Sequence, residues 1–216
     1  MSVDAAAGVH VAEHDCSLIV GGFVPLTTID FPEHLSAVIF CQGCPFRCSY
    51  CHNPTLIPKE AKKGNYSWQN IYSFLSKRRG MLEAVVFSGG EPTLQKQLIN
   101  AVLIVKELGF KVGLHTAGPY PNRIKELLPY LDWVGMDLKA PFEQYELITK
   151  VPNSGKRAFE SVKLLVESGV PCEFRTTVHP ELLNYGQIKS IIKALRSMGA
   201  TNYKLQKFRS VGIGTT

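Results

Sequence analysis

Four cysteines fall within one short run of this chain: Cys41-Gln-Gly-Cys44-Pro-Phe-Arg-Cys48-Ser-Tyr-Cys51-His-Asn-Pro. Cys44, Cys48 and Cys51 follow a C-x3-C-x2-C spacing, which puts three thiolates on a single loop. Sulfur-only ligation suits an iron–sulfur cluster or zinc. A cubane held by three protein thiolates keeps one iron open for an outside ligand. A structural zinc site is the alternative, but such sites draw paired ligands from two separate places. Here four cysteines crowd one loop and no further C-x2-C pair occurs elsewhere in the chain, so iron–sulfur is the better reading. His52 sits next to Cys51 and is poorly placed as a further ligand. Cys41 reads as a non-ligand thiol, and Cys16 and Cys172 as ordinary buried or free thiols.

Other residues able to hold a ligand cluster at a few points. Ser88-Gly89-Gly90-Glu91-Pro92 offers two glycines, where a ligand could approach the backbone without meeting a Cβ. Glu91 adds a carboxylate acceptor, although a tight turn alone would explain the glycines. Asp137 and Lys139 are two residues apart and share a face of an extended strand. A surface ion pair is the plain reading of that couple. Glu173, Arg175 and Thr177 alternate in the same way. His115 and Thr116 end a strand-like run, and Gln206 lies in the last one.

Elements able to position these residues are legible from periodicity. Apolar, β-branched runs predict strands over 36–40, 83–87, 110–114, 133–137, 172–178 and 202–206. Helical patterns predict helices over 68–79, 93–108, 122–130, 154–168 and 185–198. Ser67 is an N-cap, and Gly109, Gly169 and Gly199 are stops. Strand and helix alternate, which implies a parallel sheet with helices outside it. Six strands are too few for a closed eight-stranded barrel. The expected class is therefore α/β, an open partial (β/α)6 barrel with parallel strands. In such folds the chemistry sits at the C-terminal strand ends, which is where the candidate residues fall.

The spacing C-x3-C-x-(aromatic)-C resembles the signature of the radical S-adenosylmethionine (SAM) superfamily. Gly-Gly-Glu-Pro after the second strand resembles that family's GGE motif. The resemblance implies one [4Fe–4S] cluster on Cys44, Cys48 and Cys51, with SAM on the open iron. It implies Tyr50 against the adenine, and Ser88, Gly89, Gly90 and Glu91 at the SAM ammonium. Asp137-Leu138-Lys139 resembles a stretch of activating enzymes for glycyl radical proteins that contacts SAM or a nearby ion. Arg175, Thr116 and Gln206 are further SAM-contact candidates. Gly21-Gly22-Phe23-Val24-Pro25-Leu26-Thr27-Thr28-Ile29-Asp30-Phe31-Pro32, with Cys51-His-Asn-Pro54, is similar to the activating proteins of anaerobic ribonucleoside-triphosphate reductase. These imply reductive cleavage of SAM and a glycyl radical made on a partner, the large subunit of that reductase. A flavodoxin-like or ferredoxin-like protein would donate the electron. No protein acid or base is required. His115 stands where this sequence departs from the activase pattern.

Composition is that of a globular protein, with 45% hydrophobic and 19% charged residues. No apolar run approaches the ~20 residues that span a bilayer, and residues 1–17 read as a short tail without a secretory pattern. A single domain over 18–216, in the cytoplasm, is expected. The net charge of +6 reads as a solvated basic face or as a docking surface for an acidic protein. Part of it lies in Lys59, Lys62 and Lys63 and in Lys77, Arg78 and Arg79. No nucleic-acid or membrane partner is expected. Alternative functions are a radical SAM enzyme acting on a small molecule, of the deazapurine synthase type, and a non-enzymatic zinc or iron–sulfur protein.

Overall fold

The computed structural model describes residues 16–60 and 66–209. Most of the expected tail, with Lys62 and Lys63, lies outside the described residues. Seven strands form one sheet in the order β1-β2-β3-β4-β5-β6-β7. They are β1 (Val20–Thr27), β2 (Ser36–Cys41), β3 (Ala84–Gly89), β4 (Lys111–Thr116), β5 (Trp133–Asp137), β6 (Cys172–Val178) and β7 (Tyr203–Lys207). β2 to β7 pair in parallel. Their nearly continuous apolar runs suit strands covered on both faces. The sheet is open, as expected. It has one strand more than expected, because β1 is added antiparallel to β2 with two register shifts.

The helices are α1 (Trp68–Ser76), α2 (Leu98–Glu107), α3 (Pro121–Leu127), α4 (Tyr145–Thr149), α5 (Ser154–Ser168) and α6 (Tyr185–Ser197). Ser67 caps α1 by accepting the Asn70 N–H. Gly169 ends α5 in the left-handed region, with φ of 73°. Asn184 and Gln187 close a capping box on α6. The single helix expected over 93–108 is divided into a 3₁₀ turn at Pro92–Leu94 and α2. Gln95 lies extended between them. Its side chain accepts the Ile19 N–H and donates to the Ile19 and Gln42 carbonyls, at 2.8 to 2.9 Å. That clamp ties the entrance of β1 to the end of β2.

The larger core lies between the sheet and the helices. A smaller one, Phe31, Val38, Ala84, Val86 and Trp133, fills the concave inner face. The Thr-Thr-Ile-Asp-Phe-Pro stretch builds this plug. Thr27 Oγ1 donates to Asp30 Oδ2 at 2.7 Å, and the Phe31 ring packs on Trp133. Gly113 leaves the ring room, since a Cβ would lie 3.0 Å from it and the ring would have to give by a few tenths of an ångström. Among the described residues no helix is long and apolar enough to cross a membrane.

Candidate functional site

The inner face of the sheet carries the polar residues, in rows set by register. Ser88 follows Val86 on β3 and His115 follows Gly113 on β4. Asp137 pairs with Arg175, and Thr177 with Gln206. Period-two alternation makes these residues neighbours across strands. Above them, beyond the strand ends, lies the cysteine loop. Between the two is a cavity of about 760 Å³, within the range of small-molecule sites.

Cys44, Cys48 and Cys51 all line this cavity and are only partly buried. Cys41 is fully buried in the larger core. Cys16 donates its thiol to the Gln97 carbonyl. Burial pushes the Cys44 thiol up to about 12, with the Glu91 charge adding to it, and raises Cys48 as well. A bound cationic centre reverses that preference, because coordination removes the proton.

The loop is held by backbone contacts. Gly43 and Cys44 N–H groups donate to the Leu56 and Ile57 carbonyls, and Arg47 N–H to Thr149. Gln42, buried, donates to the Thr55 and Pro58 carbonyls. Gly89 and Gly90 run directly against this loop. Gly90 N–H donates to Cys41 and Glu91 N–H to Gly43, each at 2.9 Å. Gly89 has φ of 117°, and a Cβ on Gly90 would lie 2.7 Å from the Leu56 carbonyl oxygen and closer still to that of Gly43. The glycines therefore line the cavity, but backbone-to-backbone packing is what demands them.

Glu91, expected at the SAM ammonium, has its carboxylate engaged by four protein donors. It is 1% exposed and does not line the cavity. Its Oε1 accepts from the Thr93 N–H, the Thr93 hydroxyl and the Thr116 hydroxyl, at 3.1, 2.5 and 2.8 Å. Its Oε2 accepts the Ala117 N–H at 2.8 Å. Burial raises this carboxyl and the four donors oppose the shift. The side chain staples the turn after β3 to the end of β4, and Thr116, which also borders the cavity, is one of its anchors.

Asp137 and Lys139 line the opposite wall. Lys139 Nζ lies 3.2 Å from Asp137 Oδ2, and Arg175 Nε donates to Oδ1 at 2.9 Å. Burial alone would raise the Asp137 carboxyl, but the two cations hold it well below the usual carboxylate range. Burial opposes the Lys139 charge, but Asp137 together with Tyr50, Cys48 and Tyr145 raises its pKa well above the ordinary value. Arg175 is engaged by Asp137 and is not among the residues that line the cavity. Glu173 pairs with Lys204 at 2.5 Å. Tyr50, Ser88, Thr177 and Gln206 do line the cavity. The Tyr50 hydroxyl is buried and accepts no protein partner. His115 also lines it, with Nε2 2.9 Å from the Asp30 carbonyl. Burial, and then Arg175, lower its pKa to about 4.

The sequence reading missed Gln42 and Gln95, the two amides that brace the cysteine loop. A glutamine directly after Cys41, at the start of the cysteine run, was the signal that could have revealed the first.

The Radical SAM superfamily model matches residues 38–199. This chain is a radical SAM protein. A Methanocaldococcus jannaschii protein, provisionally named a glycyl-radical enzyme activating enzyme, is 34% identical over 197 residues, 88% of this chain and 80% of its own. The pyruvate formate-lyase-activating enzyme of Clostridium pasteurianum is 31% identical over 190 residues, 83% of this chain and 77% of its own. The chain is thus a radical SAM enzyme homologous to glycyl-radical enzyme activating enzymes. The structure of Streptococcus suis SuiB bound to S-adenosylmethionine superposes with a TM-score of 0.62 at 17% identity, over 81% of this chain and 41% of that one. This chain spans less than half of SuiB, and the likeness concerns the fold alone.

The radical SAM superfamily implies a [4Fe–4S] cluster and SAM, and the donor set fits. Three soft thiols face one cavity. Among the described residues no three His, Cys, Asp or Glu side chains converge as a single ion requires.

Proposed function

We propose that this protein makes a glycyl radical on a partner enzyme. It would use SAM bound at one [4Fe–4S] cluster on Cys44, Cys48 and Cys51. The observation that carries this reading is the convergence of three thiols, the Ser88–Gly90 turn and the Asp137–Lys139 couple on one cavity. When bound, the cluster supplies the electron that splits SAM and yields a carbon radical able to take hydrogen from a glycine Cα. The chain's own residues orient and shield. Two cations around one carboxylate leave the Asp137 wall with a net positive charge, suited to a ligand carboxylate. The free Tyr50 hydroxyl and Gln206 supply polar contacts for the nucleoside end. Homology to activating enzymes supports a protein substrate over a small molecule. The motifs around Asp30 and His52 support anaerobic ribonucleoside-triphosphate reductase as the partner. Residues 18–216 act as one domain in this reading. Six free cysteines suit the reducing cytoplasm.

The test is anaerobic. Reconstituted protein is given SAM and a strong reductant, and 5′-deoxyadenosine is measured by chromatography. Cys48→Ala should abolish its formation, and full cleavage by that variant would sink the assignment. Electron paramagnetic resonance on the added reductase then reads the glycyl radical. SAM cleavage without that signal would favour a small-molecule substrate.

A further inference from the structure

The concave face of the sheet holds a buried charge that does not line the cavity. Arg175 on β6 stands opposite Asp137 on β5, and its side chain is 11% exposed. Its Nε donates to Asp137 Oδ1 at 2.9 Å. The rest of the guanidinium lies over Gly135, away from the cysteine loop. A Cβ on Gly135 would lie 2.9 Å from Arg175 Cζ and 3.0 Å from its Nη1. Register supplies the neighbours, since Gly135 pairs with His115 on one side and Glu173 on the other. The Trp133 ring closes the space, 2.7 Å from the same Cβ position.

Each wall of this compartment suits a resident cation. Gly135 is not among the glycines with positive φ, so what its missing side chain provides is room for the guanidinium. The His115 Nε2 lies 2.9 Å from the Asp30 carbonyl, which can only accept, so the proton sits on Nε2. Burial, and then Arg175, lower the His115 pKa to about 4 and keep the ring neutral. The Glu173 carboxylate is paired with Lys204 at 2.5 Å. Asp137 is therefore the carboxylate that answers Arg175. With Oδ1 held by Arg175, Oδ2 is left to Lys139 at 3.2 Å, and Asp137 and Lys139 both border the cavity.

Resting on the reading that SAM occupies the cavity, we propose that Arg175 is a positioning residue for it: a cation tethered in a guanidinium-shaped compartment, which fixes the Asp137 carboxylate and through it the Lys139 ammonium. Arg175 touches no ligand itself. A carboxylate held on both oxygens cannot swing, so Lys139 keeps its place at the cavity wall, where it meets the carboxylate of the ligand. The tethered charge is present before the ligand arrives, and the wall needs no ordering when it binds.

The experiment empties the compartment with Arg175→Ala and uses guanidinium ion as the probe. Metal-free protein is melted with guanidinium or sodium chloride at about 20 mM, where guanidinium unfolds little because its denaturing effect scales with concentration. Guanidinium should raise the melting temperature of the variant by about 2–4 °C, as a ligand of millimolar affinity does. Sodium should not, and the unaltered protein should gain nothing from either. SAM affinity is then measured by anaerobic calorimetry on reconstituted protein. Arg175→Ala should bind SAM at least about tenfold more weakly, as loss of a group that orients a ligand contact does, and guanidinium should restore most of the loss. Arg175→Lys keeps the space filled and charged but lacks the planar fork. It should bind SAM more weakly than the unaltered protein and gain nothing from guanidinium, which decides the matter if the alanine variant does not fold. Unaltered SAM affinity in either variant overturns the proposal, as does rescue by sodium as good as that by guanidinium, or rescue of the lysine variant. Failure of the unaltered holoenzyme to bind SAM would remove the functional reading instead, and the melts would still report on the compartment.

Discussion

Glu91→Gln alters one atom at the centre of the staple between the β3 and β4 ends. The amide oxygen can keep the place of Oε1 and its three donors, Thr93 N–H, Thr93 hydroxyl and Thr116 hydroxyl. The amide nitrogen must then face the Ala117 N–H, which now donates to Oε2 at 2.8 Å. Two donors oppose each other, and a buried N–H loses its partner at a cost of about 1–3 kcal/mol. The remaining three bonds lose their charge assistance, worth about 1–2 kcal/mol together. Relief from burying an ionised carboxylate returns part of this. The net loss is about 2–3 kcal/mol. With a urea slope near 2 kcal/mol/M, the midpoint should fall by about 1 M. The assay is equilibrium urea unfolding of the metal-free protein followed by circular dichroism, with SAM affinity of the reconstituted protein measured beside it. Both should weaken. An unchanged midpoint with SAM binding lost would refute the staple and return the carboxylate to direct ligand contact.

Gly90→Ala places a methyl group against the Gly43 and Leu56 carbonyls, so the turn must withdraw from the cysteine loop. Anaerobic reconstitution should recover markedly less iron per chain, and full iron content would contradict the close-packing account. Asp137→Asn leaves Arg175, 11% exposed, and Lys139, 18% exposed, without their shared counter-charge. A loss of about 2–4 kcal/mol is expected, read as a lower melting temperature that an unchanged melt would contradict. His115 folds as the neutral ring, its pKa lowered to about 4 from an ordinary 6.5. The stability it contributes is complete above about pH 6.5 and is lost as pH falls toward about 4. The fall is at most about 2 kcal/mol, because the ring is partly exposed. Urea midpoints of metal-free His115→Gln should therefore drop less than those of the parent between pH 7 and pH 4.5, and equal drops would show that His115 is not the sensor.

Where local pattern and tertiary demand agree, the elements were legible. β5, α5 and β6 lie over the residues that periodicity and the Gly169 stop indicate. β1 was not, because Gly21, Gly22 and Pro25 weaken its pattern and an edge strand tolerates them. The break before α2 was invisible because Gln95 is drawn out by Ile19 and Gln42, neither of which is near it in sequence. The site divides in the same way. Cysteines declare themselves by type and spacing. A carboxylate does not say whether it faces a ligand or four protein donors, as at Glu91, and an arginine does not say that a carboxylate on the neighbouring strand, 38 residues away in the chain, will claim it, as Asp137 claims Arg175.

Sheet order follows chain order without a single exchange, and this has a consequence for biosynthesis. Each strand leaving the ribosome finds the strand made just before it already waiting, so the sheet can grow by accretion with few long-range searches. The cysteine loop does not share that privilege. Arg47 must wait for Thr149, and His52 for Arg209. The thiols are made early, yet their frame is finished only when the last strand arrives, so the scaffold matures ahead of the site it was built to carry.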